Sequence, residues 1–370
     1  MYSENVFQDF LALVCAGLWE KEARLLKYWE NNLLDVLGLA EEQSVVGLVA
    51  AGVERVTDGR PAKKDVLQFI GRVTQLEQRN YAMNDFVGVM VDKMREAGIH
   101  TVLVKGQGVA QCYERPLWRA CGDVDFFLDD ENYRRAKAFL TPMAESVEPE
   151  SGKHLGMTVG PWVVELHGNL HCGLSSKMDS LIDEVQKDVF EGGEVRVWTN
   201  GATLVFLPAV EEDAILIFTH FLKHFYKGGL GLRQICDWCR LLWTYRNTID
   251  SRKLEEWLNR AGLMSEWKAF GAFSVEYLAM PSDTMPFYSP QAKWKRKANQ
   301  ILKFVMMSGN FGHNRDLRYR QYPFVIKKFY AMARRVGDLL NHVMIFPLDS
   351  IRFFPRIIVN GLNAAAKGIG

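Results

Sequence analysis

The sequence predicts an α+β protein in which a small mixed sheet lies between helical regions. Apolar residues recur at three- and four-residue intervals before about residue 97 and again after about residue 209, which is the spacing of helices. Between these stretches, short runs of β-branched and apolar residues end at glycine or proline, which is typical of strands. The predicted regions are 1–97 (helical), 98–208 (sheet and helices), 209–290 (helical) and 291–370 (basic, aromatic-rich and helical).

Helices are predicted first along the chain. Stretches 6–18 and 65–97 have helical spacing, and Pro61 separates the two. Basic residues precede Gly98, and cations in a last turn followed by glycine indicate a helix end. We therefore expect the sheet to begin just after Gly98.

The sheet region is predicted to run as strand, short helix, strand, helix and then two pairs of strands. Gly160-Pro161 separates one pair, and Asn200-Gly201 separates the other. Asn-Gly between two apolar stretches is a strong hairpin signal. The predicted strands are 100–106, 123–128, two within 155–168 and two within 195–208, and the predicted helices are 107–113 and 129–140.

Composition is that of an ordinary globular protein. Of the 370 residues, 48% are hydrophobic and 24% are charged. No apolar run reaches the roughly 18 residues that indicate a membrane span. The acidic first ten residues do not resemble a secretory signal. Six cysteines are scattered without a disulfide-framework spacing, so we expect buried thiols in a reducing cytoplasm.

Charge is divided unevenly along the chain. Residues 1–290 hold 30 Lys+Arg and 41 Asp+Glu, a net charge of −11, whereas residues 291–370 hold 15 and 3, a net charge of +12. We expect the basic region to contact the acidic body of the protein, an anionic membrane or nucleic acid. We favour the first, because large apolar side chains in this region are costly to expose to water. They are Phe304, Phe311, Phe324, Phe329, Phe346 and Phe353.

An Asp-x-Asp pair lies in the second predicted strand. Side chains alternate between the faces of a strand, so Asp123 and Asp125 share a face, about 6.8 Å apart at Cα. Val124 and Phe126 point the other way, into a core. Neighbouring carboxylates repel each other and lose hydration unless a positive charge compensates. Oxygen ligands favour Mg²⁺ or Mn²⁺, so the pair predicts a site for one of these ions.

A third carboxylate and a glycine loop extend this predicted site. Glu165 repeats the apolar–acid–apolar pattern on another predicted strand. Three carboxylates on neighbouring strands suit two metal ions about 3.5–4 Å apart. The loop 105–108 ends a strand before a short helix, and its glycines let a phosphate approach the backbone. Lys105 and Arg119 are candidates to neutralise phosphate charge.

These motifs resemble the polymerase-β-like nucleotidyltransferase superfamily. A strand ending in glycine, a helix, a strand with Asp-x-Asp and a later strand with a lone acid follow in the superfamily's order. More narrowly, the amino-acid sequence over about residues 95–245 resembles a group of uncharacterised bacterial nucleotidyltransferases. The segments that carry this likeness are LVKGQGVAQCYERPLWRACGDVDFFLDDENYRRA, VVELHGNLH, LPAVEEDAILIFTHFLKH and GLRQICDWCRLL.

The resemblance implies a role for each matching position. Asp123 and Asp125 are implied to be metal ligands, and Glu165 a third ligand or the base that activates an attacking hydroxyl. Gly106 is implied to be the phosphate-loop glycine. Gln107 departs from the superfamily, which favours serine there, so an amide replaces the hydroxyl that contacts phosphate.

The implied activity is transfer of a nucleoside monophosphate from a nucleoside triphosphate to an acceptor hydroxyl. The acceptor is left open between a small molecule, a sugar, a protein and RNA. A second hypothesis is a non-catalytic module on the same scaffold that binds nucleotide or another polyanion. Gln107 favours this alternative, whereas the three carboxylates favour the enzyme.

Several histidines have both structural and functional interpretations. His167 follows Glu165 by two residues on the same face, so it is a candidate to shape the site. His167 and His171 are four residues apart, as are His220 and His224, a spacing that suits zinc on a helix. For both pairs we favour structural histidines that bond a carbonyl or a carboxylate. The segment around His167 is predicted as strand and turn, which further weakens zinc binding by the first pair.

Four positions in the segment 231–242 are also open to two interpretations. Arg233 and Asp237 are spaced for an i,i+4 ion pair, and the resemblance makes them candidates for secondary nucleotide contacts. Cys236 and Cys239 form a lone Cys-x-x-Cys within a helical run, for which we predict core packing.

Overall fold

The computed structural model describes residues 2–26, 29–57, 61–309 and 337–366, with side chains described to residue 359. Residues 337–345 are helical as well. The labelled helices are α1 (Glu4–Trp19), α2 (Leu33–Glu42), α3 (Val46–Val53), α4 (Lys63–Glu96), α5 (Gly106–Ala110), α6 (Asp130–Leu140), α7 (Ser176–Glu191), α8 (Val210–Lys227), α9 (Leu232–Thr244), α10 (Ser251–Ala261), α11 (Met264–Tyr277), α12 (Ala292–Ser308) and α13 (Pro347–Ala366). The strands are β1 (Val102–Val104), β2 (Asp123–Phe127), β3 (Ser146–Val147), β4 (His154–Val159), β5 (Trp162–His167), β6 (Val195–Asn200) and β7 (Thr203–Pro208).

Five strands form one mixed sheet in the order β1-β2-β5-β4-β3. Strands β2 and β5 are parallel neighbours, and the other pairs are antiparallel. The register places Asp125 opposite Glu165 on one side and opposite Val104 on the other. The predicted α+β fold with a small mixed sheet is confirmed. The division into four regions stays a prediction.

Strands β6 and β7 form a separate two-stranded sheet. They pair from Val195 and Pro208 to Asn200 and Thr203, and Gly201 has a φ of +60° in the connecting turn. A positive φ suits glycine, which explains the Asn-Gly signal. Strand β7 packs beside β1, so the hairpin adjoins the five-stranded sheet without joining it.

The side chains of β2 alternate between a core and a cavity. Val124 and Phe126 are buried in an apolar cluster that includes residues of α4 and α6. Asp123 and Asp125 lie on the opposite face and line the cavity. The apolar partners of the strand therefore anchor it, and its carboxylates are left facing α8 and α9.

An aromatic core fixes α8 and α9. The ring of Phe218 on α8 stacks on Trp238 of α9, with centroids 5.3 Å apart, and lies 4.8 Å from Trp267 of α11. Cys236 and Cys239 are fully buried free thiols, which confirms their predicted packing role. Because their apolar faces are committed to this core, both helices direct polar residues toward the sheet.

The described part of the C-terminal region packs onto the body. Phe304, Phe346 and Phe353 are buried, and the Phe225 ring of α8 contacts the first two. The other phenylalanines for which burial was expected lie outside the described residues: Phe311, Phe324 and Phe329. Among the described helices, none combines the length and the apolar character that crossing a membrane requires. Which partner the basic region contacts stays a prediction.

A buried carboxyl group links α11 to this C-terminal region. Glu266 is fully buried, accepts a hydrogen bond from the Tyr226 hydroxyl at 3.2 Å, and interacts with Asp349 of α13. Burial, together with the Asp349 charge, raises the pKa of Glu266 to about 8 from 4.5. Between these values the native state binds more protons than the unfolded chain, so stability falls as pH rises through the range.

We expect Glu266→Gln to flatten this pH dependence of stability. The amide still accepts the hydrogen bond from Tyr226 and cannot ionise. Thermal denaturation from pH 5 to pH 9 measures the effect, with Glu255→Gln, at an exposed position on α10, as the control. The same decline in Glu266→Gln as in the wild type would contradict the role of Glu266.

Candidate active site

A cavity of about 250 Å³ opens between the sheet and helices α8 and α9. Asp123, Asp125 and Glu165 line one side of it. Because β2 and β5 are parallel and in register, Asp125 and Glu165 lie directly opposite each other, and Asp123 shares their face two residues earlier. The structure therefore brings the three predicted carboxylates together. The other lining residues are Lys105, Gly106, Val109, Arg119, His154, Ile217, His220, Lys223, His224, Arg233, Gln234 and Asp237.

Asp123 is the carboxylate without a compensating partner. Its side chain is half-buried and makes no hydrogen bond or ion pair with any residue that the structure describes. Burial, reinforced by the negative charge of Asp125, raises the pKa of Asp123. A divalent cation bound here would supply the missing positive charge.

Asp125, by contrast, is fully compensated. It is 3% exposed, and its Oδ1 lies 2.9 Å from the Lys105 ammonium and 2.7 Å from His167 Nε2. Burial acts to raise the pKa of Asp125, but the Lys105 charge and the His167 hydrogen bond outweigh it and lower the pKa. The group is therefore ionised at neutral pH.

Two histidines hold Glu165. Its Oε2 lies 3.1 Å from His154 Nε2 and 3.3 Å from His167 Nε2. Burial acts to raise the pKa of Glu165, but these hydrogen bonds and the Lys105 charge hold it well below its usual range. His167, a candidate to shape the site, thus contacts both Asp125 and Glu165.

Sequence reasoning missed His154. Antiparallel pairing of β4 and β5 sets it opposite His167, with ring centroids 4.8 Å apart. The ligand atoms of His154, Glu165 and His167 lie within 4.8 Å of one another, so these residues form a possible metal-ligand cluster. The short Gly160-Pro161 turn could have placed His154 opposite His167, because a short turn fixes which residues of the two strands face each other.

The loop after β1 is strained where it meets the site. Lys105 has a φ of +56°, which is unusual for a residue with a side chain and costs about 1–3 kcal/mol. Gly106 has a φ of +39°, and a Cβ there would lie 3.2 Å from Cys121 Sγ. Glycine therefore allows this loop to lie against the start of β2, and Lys105 is thereby aimed at Asp125.

Gln107 does not reach the cavity, which corrects the expectation that its amide meets a phosphate. Its side chain is buried, and its Nε2 donates to Asn80 Oδ1 at 2.9 Å and contacts Met83 Sδ at 3.5 Å, both on α4. The first turn of α5 directs the side chain away from β2. Gln107 therefore anchors the loop to α4.

Arg119 lines the cavity but forms a buried ion pair with Asp237. Its Nε and Nη2 donate to the two Asp237 oxygens at 3.0 and 2.6 Å, and the Tyr113 hydroxyl donates to Oδ1 at 2.8 Å. The expected i,i+4 pair between Arg233 and Asp237 is wrong, because Arg119 occupies both carboxylate oxygens. Arg233 instead donates from Nη1 to the Ala120 carbonyl at 2.6 Å.

The side of the cavity formed by α8 carries one lysine and two histidines. His220, Lys223 and His224 share one face of α8, and the Nε2 atoms of the two histidines are 3.1 Å apart. Burial, with nearby positive charges, holds the pKa of His220 well below its usual value and lowers that of His224 to about 3. A structural role was predicted for this pair, and the structure places both side chains in the cavity lining. His171 pairs with Asp183 at 2.6 Å, away from His167.

Carboxylates on two central strands, facing a cavity lined with cations, suit the transfer of a phosphorus-containing group. The chain belongs to the uncharacterised nucleotidyltransferase family, whose model matches residues 30–271. This match is wider than the resemblance over 95–245, because it includes helices before the sheet. Family membership supports nucleotidyl transfer as the general activity. No curated protein and no solved structure matches the chain.

Proposed function

We propose that the protein is a Mg²⁺- or Mn²⁺-dependent enzyme that moves a nucleoside monophosphate from a nucleoside triphosphate to an acceptor hydroxyl. The acceptor oxygen bonds to the α-phosphorus and releases its proton to solvent, the bond from that phosphorus to the bridging oxygen breaks, and pyrophosphate leaves with the electron pair. The observation that carries the proposal is the set of Asp123, Asp125 and Glu165 on adjacent parallel strands, with Asp123 uncompensated.

The donor set fits a divalent cation. Asp123, Asp125 and Glu165 are the residues that would hold it, and oxygen ligands of this kind suit Mg²⁺ or Mn²⁺. When bound, such an ion neutralises charge on the transferring phosphate and orients the attacking oxygen. The lowered pKa of Glu165 makes it a weak base, so we assign it to ligation rather than to proton removal.

The neighbouring side chains position these carboxylates. Lys105 balances the charge of Asp125, and His154 and His167 fix the orientation of Glu165. Gly106 keeps the loop close to β2. Catalysis of this kind depends mainly on positioning and charge neutralisation, which the described contacts would supply.

The order of the motifs supports placement in the polymerase-β-like superfamily, and the sequence of the segment 103–136 supports a bacterial source. All six cysteines are free thiols, which agrees with a cytoplasmic location. The acceptor classes remain a small molecule, a sugar, a protein and RNA.

One observation favours the alternative of a non-catalytic nucleotide-binding module. Gln107 replaces the serine typical of the superfamily, and its amide is bonded to α4 instead of facing the cavity. A phosphate at the loop would therefore have one side-chain contact fewer than in superfamily members with serine at this position. The carboxylates needed for metal binding are nevertheless in place. The experiment below distinguishes the two functions.

We expect a nucleoside triphosphate with Mg²⁺ or Mn²⁺ to raise the melting temperature more than either component alone. The reason is that the cation would offset the repulsion between the triphosphate and the carboxylates of the site. Thermal denaturation with each of the four nucleoside triphosphates measures this. Label on the α-phosphate should then pass into a small-molecule, protein or RNA fraction, whereas label on the γ-phosphate should appear in pyrophosphate. A larger rise in melting temperature with metal and nucleotide together, without transfer of label to any fraction, would favour the non-catalytic module. If metal and nucleotide together gave no such rise, both functions would be excluded.

A further inference from the structure

We propose that Lys223 and Arg233, together with His220 and His224, form the subsite for the β- and γ-phosphates of the donor. We call these four residues the cationic wall. The inference rests on the proposed function, and it assigns the polyphosphate chain to the helical side of the cavity. The carboxylates of β2 and β5 would then hold the metal on the opposite side.

Charge pairing separates the cations of the cavity into two kinds. Lys105 is paired with Asp125 at 2.9 Å, and Arg119 is paired with Asp237 at 2.6 Å. These two cations are already neutralised by the protein. Lys223 makes no hydrogen bond or ion pair with any residue that the structure describes, so its charge is available to a ligand.

Arg233 is likewise only partly satisfied. Its Nη1 donates to the Ala120 carbonyl, but its Nε is buried without a hydrogen-bond partner among the described residues. A buried donor left without a partner costs about 1–3 kcal/mol, more for a charged group. A phosphate oxygen supplies both the acceptor and the negative charge that this guanidinium lacks.

The pKa shifts of Lys223 and Arg233 suit the binding of an anionic ligand. Burial and the nearby Lys105 charge lower the pKa of Lys223, and burial with the Arg119 charge lowers that of Arg233. Burial is the largest cause for both groups, so each positive charge is poorly solvated and an anionic ligand would stabilise it. The Nε2 atoms of neutral His220 and His224 lie 3.1 Å apart, so one ring donates to the other and at most one N–H of the pair is left for a phosphate oxygen.

The wall is backed by the aromatic core and lines the same cavity as the carboxylates. On the other face of α8, the rings of Phe218, Phe221 and Phe225 pack in the aromatic core. Lys223 interacts electrostatically with Asp125 and Glu165, and Arg233 interacts with Asp123. A phosphate chain whose α-phosphate meets the metal site would therefore extend toward the wall.

The test compares Lys223→Gln with wild type, using titration calorimetry in the presence of Mg²⁺. The probes are the nucleoside triphosphate that stabilises the wild type most, its monophosphate and inorganic tripolyphosphate. We expect Lys223→Gln to lose about tenfold in affinity for both polyphosphates, because one charge-assisted contact is removed. Affinity for the monophosphate should change less than about threefold. Lys223→Arg should stay close to wild type, and Lys177→Gln, at an exposed position on α7, is the control.

A structural role for Lys223 predicts a different result. Loss of a structural contact would lower the melting temperature and weaken all three ligands together. We expect the melting temperature of Lys223→Gln to equal or exceed that of wild type, because an uncompensated charge is removed. Unchanged polyphosphate affinity, or equal losses for triphosphate and monophosphate, would overturn the inference while leaving the proposed function in place. A wild type that binds no nucleoside triphosphate would overturn the proposed function and the subsite with it.

Discussion

Asp123→Asn is expected to abolish metal-dependent nucleotidyl transfer while leaving the metal-free protein at least as stable as wild type. Loss of a metal ligand should slow transfer about a thousandfold, equivalent to about 4 kcal/mol of activation free energy. Burial and the Asp125 charge raise the pKa of Asp123, so its ionised form destabilises the native state at neutral pH. Asparagine removes that cost together with the ligand.

Asp125→Asn provides the internal comparison. It should lose transfer to a similar extent, but it should also lower stability, because Lys105 would lose its buried partner. The two carboxylates thus have the same expected effect on activity and opposite expected effects on stability.

Transfer of α-phosphate label and thermal denaturation, with and without Mg²⁺, measure these effects. Asp283→Asn, in an exposed loop, controls for loss of one negative charge. If Asp123→Asn kept more than about a tenth of wild-type transfer, a difference of only about 1.4 kcal/mol, the ligand assignment would be wrong. A fall in its metal-free melting temperature would contradict the electrostatic argument.

Strand periodicity was enough to predict the positions of the carboxylates. Alternation on β2 separates Val124 and Phe126 from Asp123 and Asp125, because the apolar pair must enter a core. The same pattern marks Glu165. Pairing between β2 and β5 is a long-range property, and the sequence indicated only that the strands were neighbours. The register that sets Asp125 against Glu165 had to come from the structure.

The errors in the prediction have physical causes too. Gln107 was assumed to face the phosphate because it follows Gly106, but the turn of α5 directs its side chain to Asn80. The spacing of His220 and His224 is visible in the sequence, whereas the packing that turns this face toward the sheet is not. Local pattern fixes which residues share a face, and tertiary contacts decide what that face meets.

The ion pair between Arg119 and Asp237 illustrates the same limit, since 118 residues separate its members. Local spacing suggested Arg233 as the partner of Asp237, and the charge of Arg119 made it a candidate to neutralise phosphate. The structure joins Arg119 to Asp237 through two hydrogen bonds, with both side chains almost fully buried. This pair fastens α9 to the loop before β2, and both of its residues line the cavity.

Arg119→Met is therefore expected to destabilise the protein by about 3–5 kcal/mol, because the Asp237 carboxylate would stay buried without its counter-charge. Arg119→Met combined with Asp237→Leu should recover much of that loss, since no unpaired charge remains. Urea denaturation without nucleotide measures both, and Arg72→Met, which removes the exposed pair with Glu41, should cost less than about 1 kcal/mol. If Arg119→Met left stability unchanged and lowered only triphosphate affinity, Arg119 would be a ligand-binding residue instead of the support that its contacts with Asp237 and Tyr113 indicate.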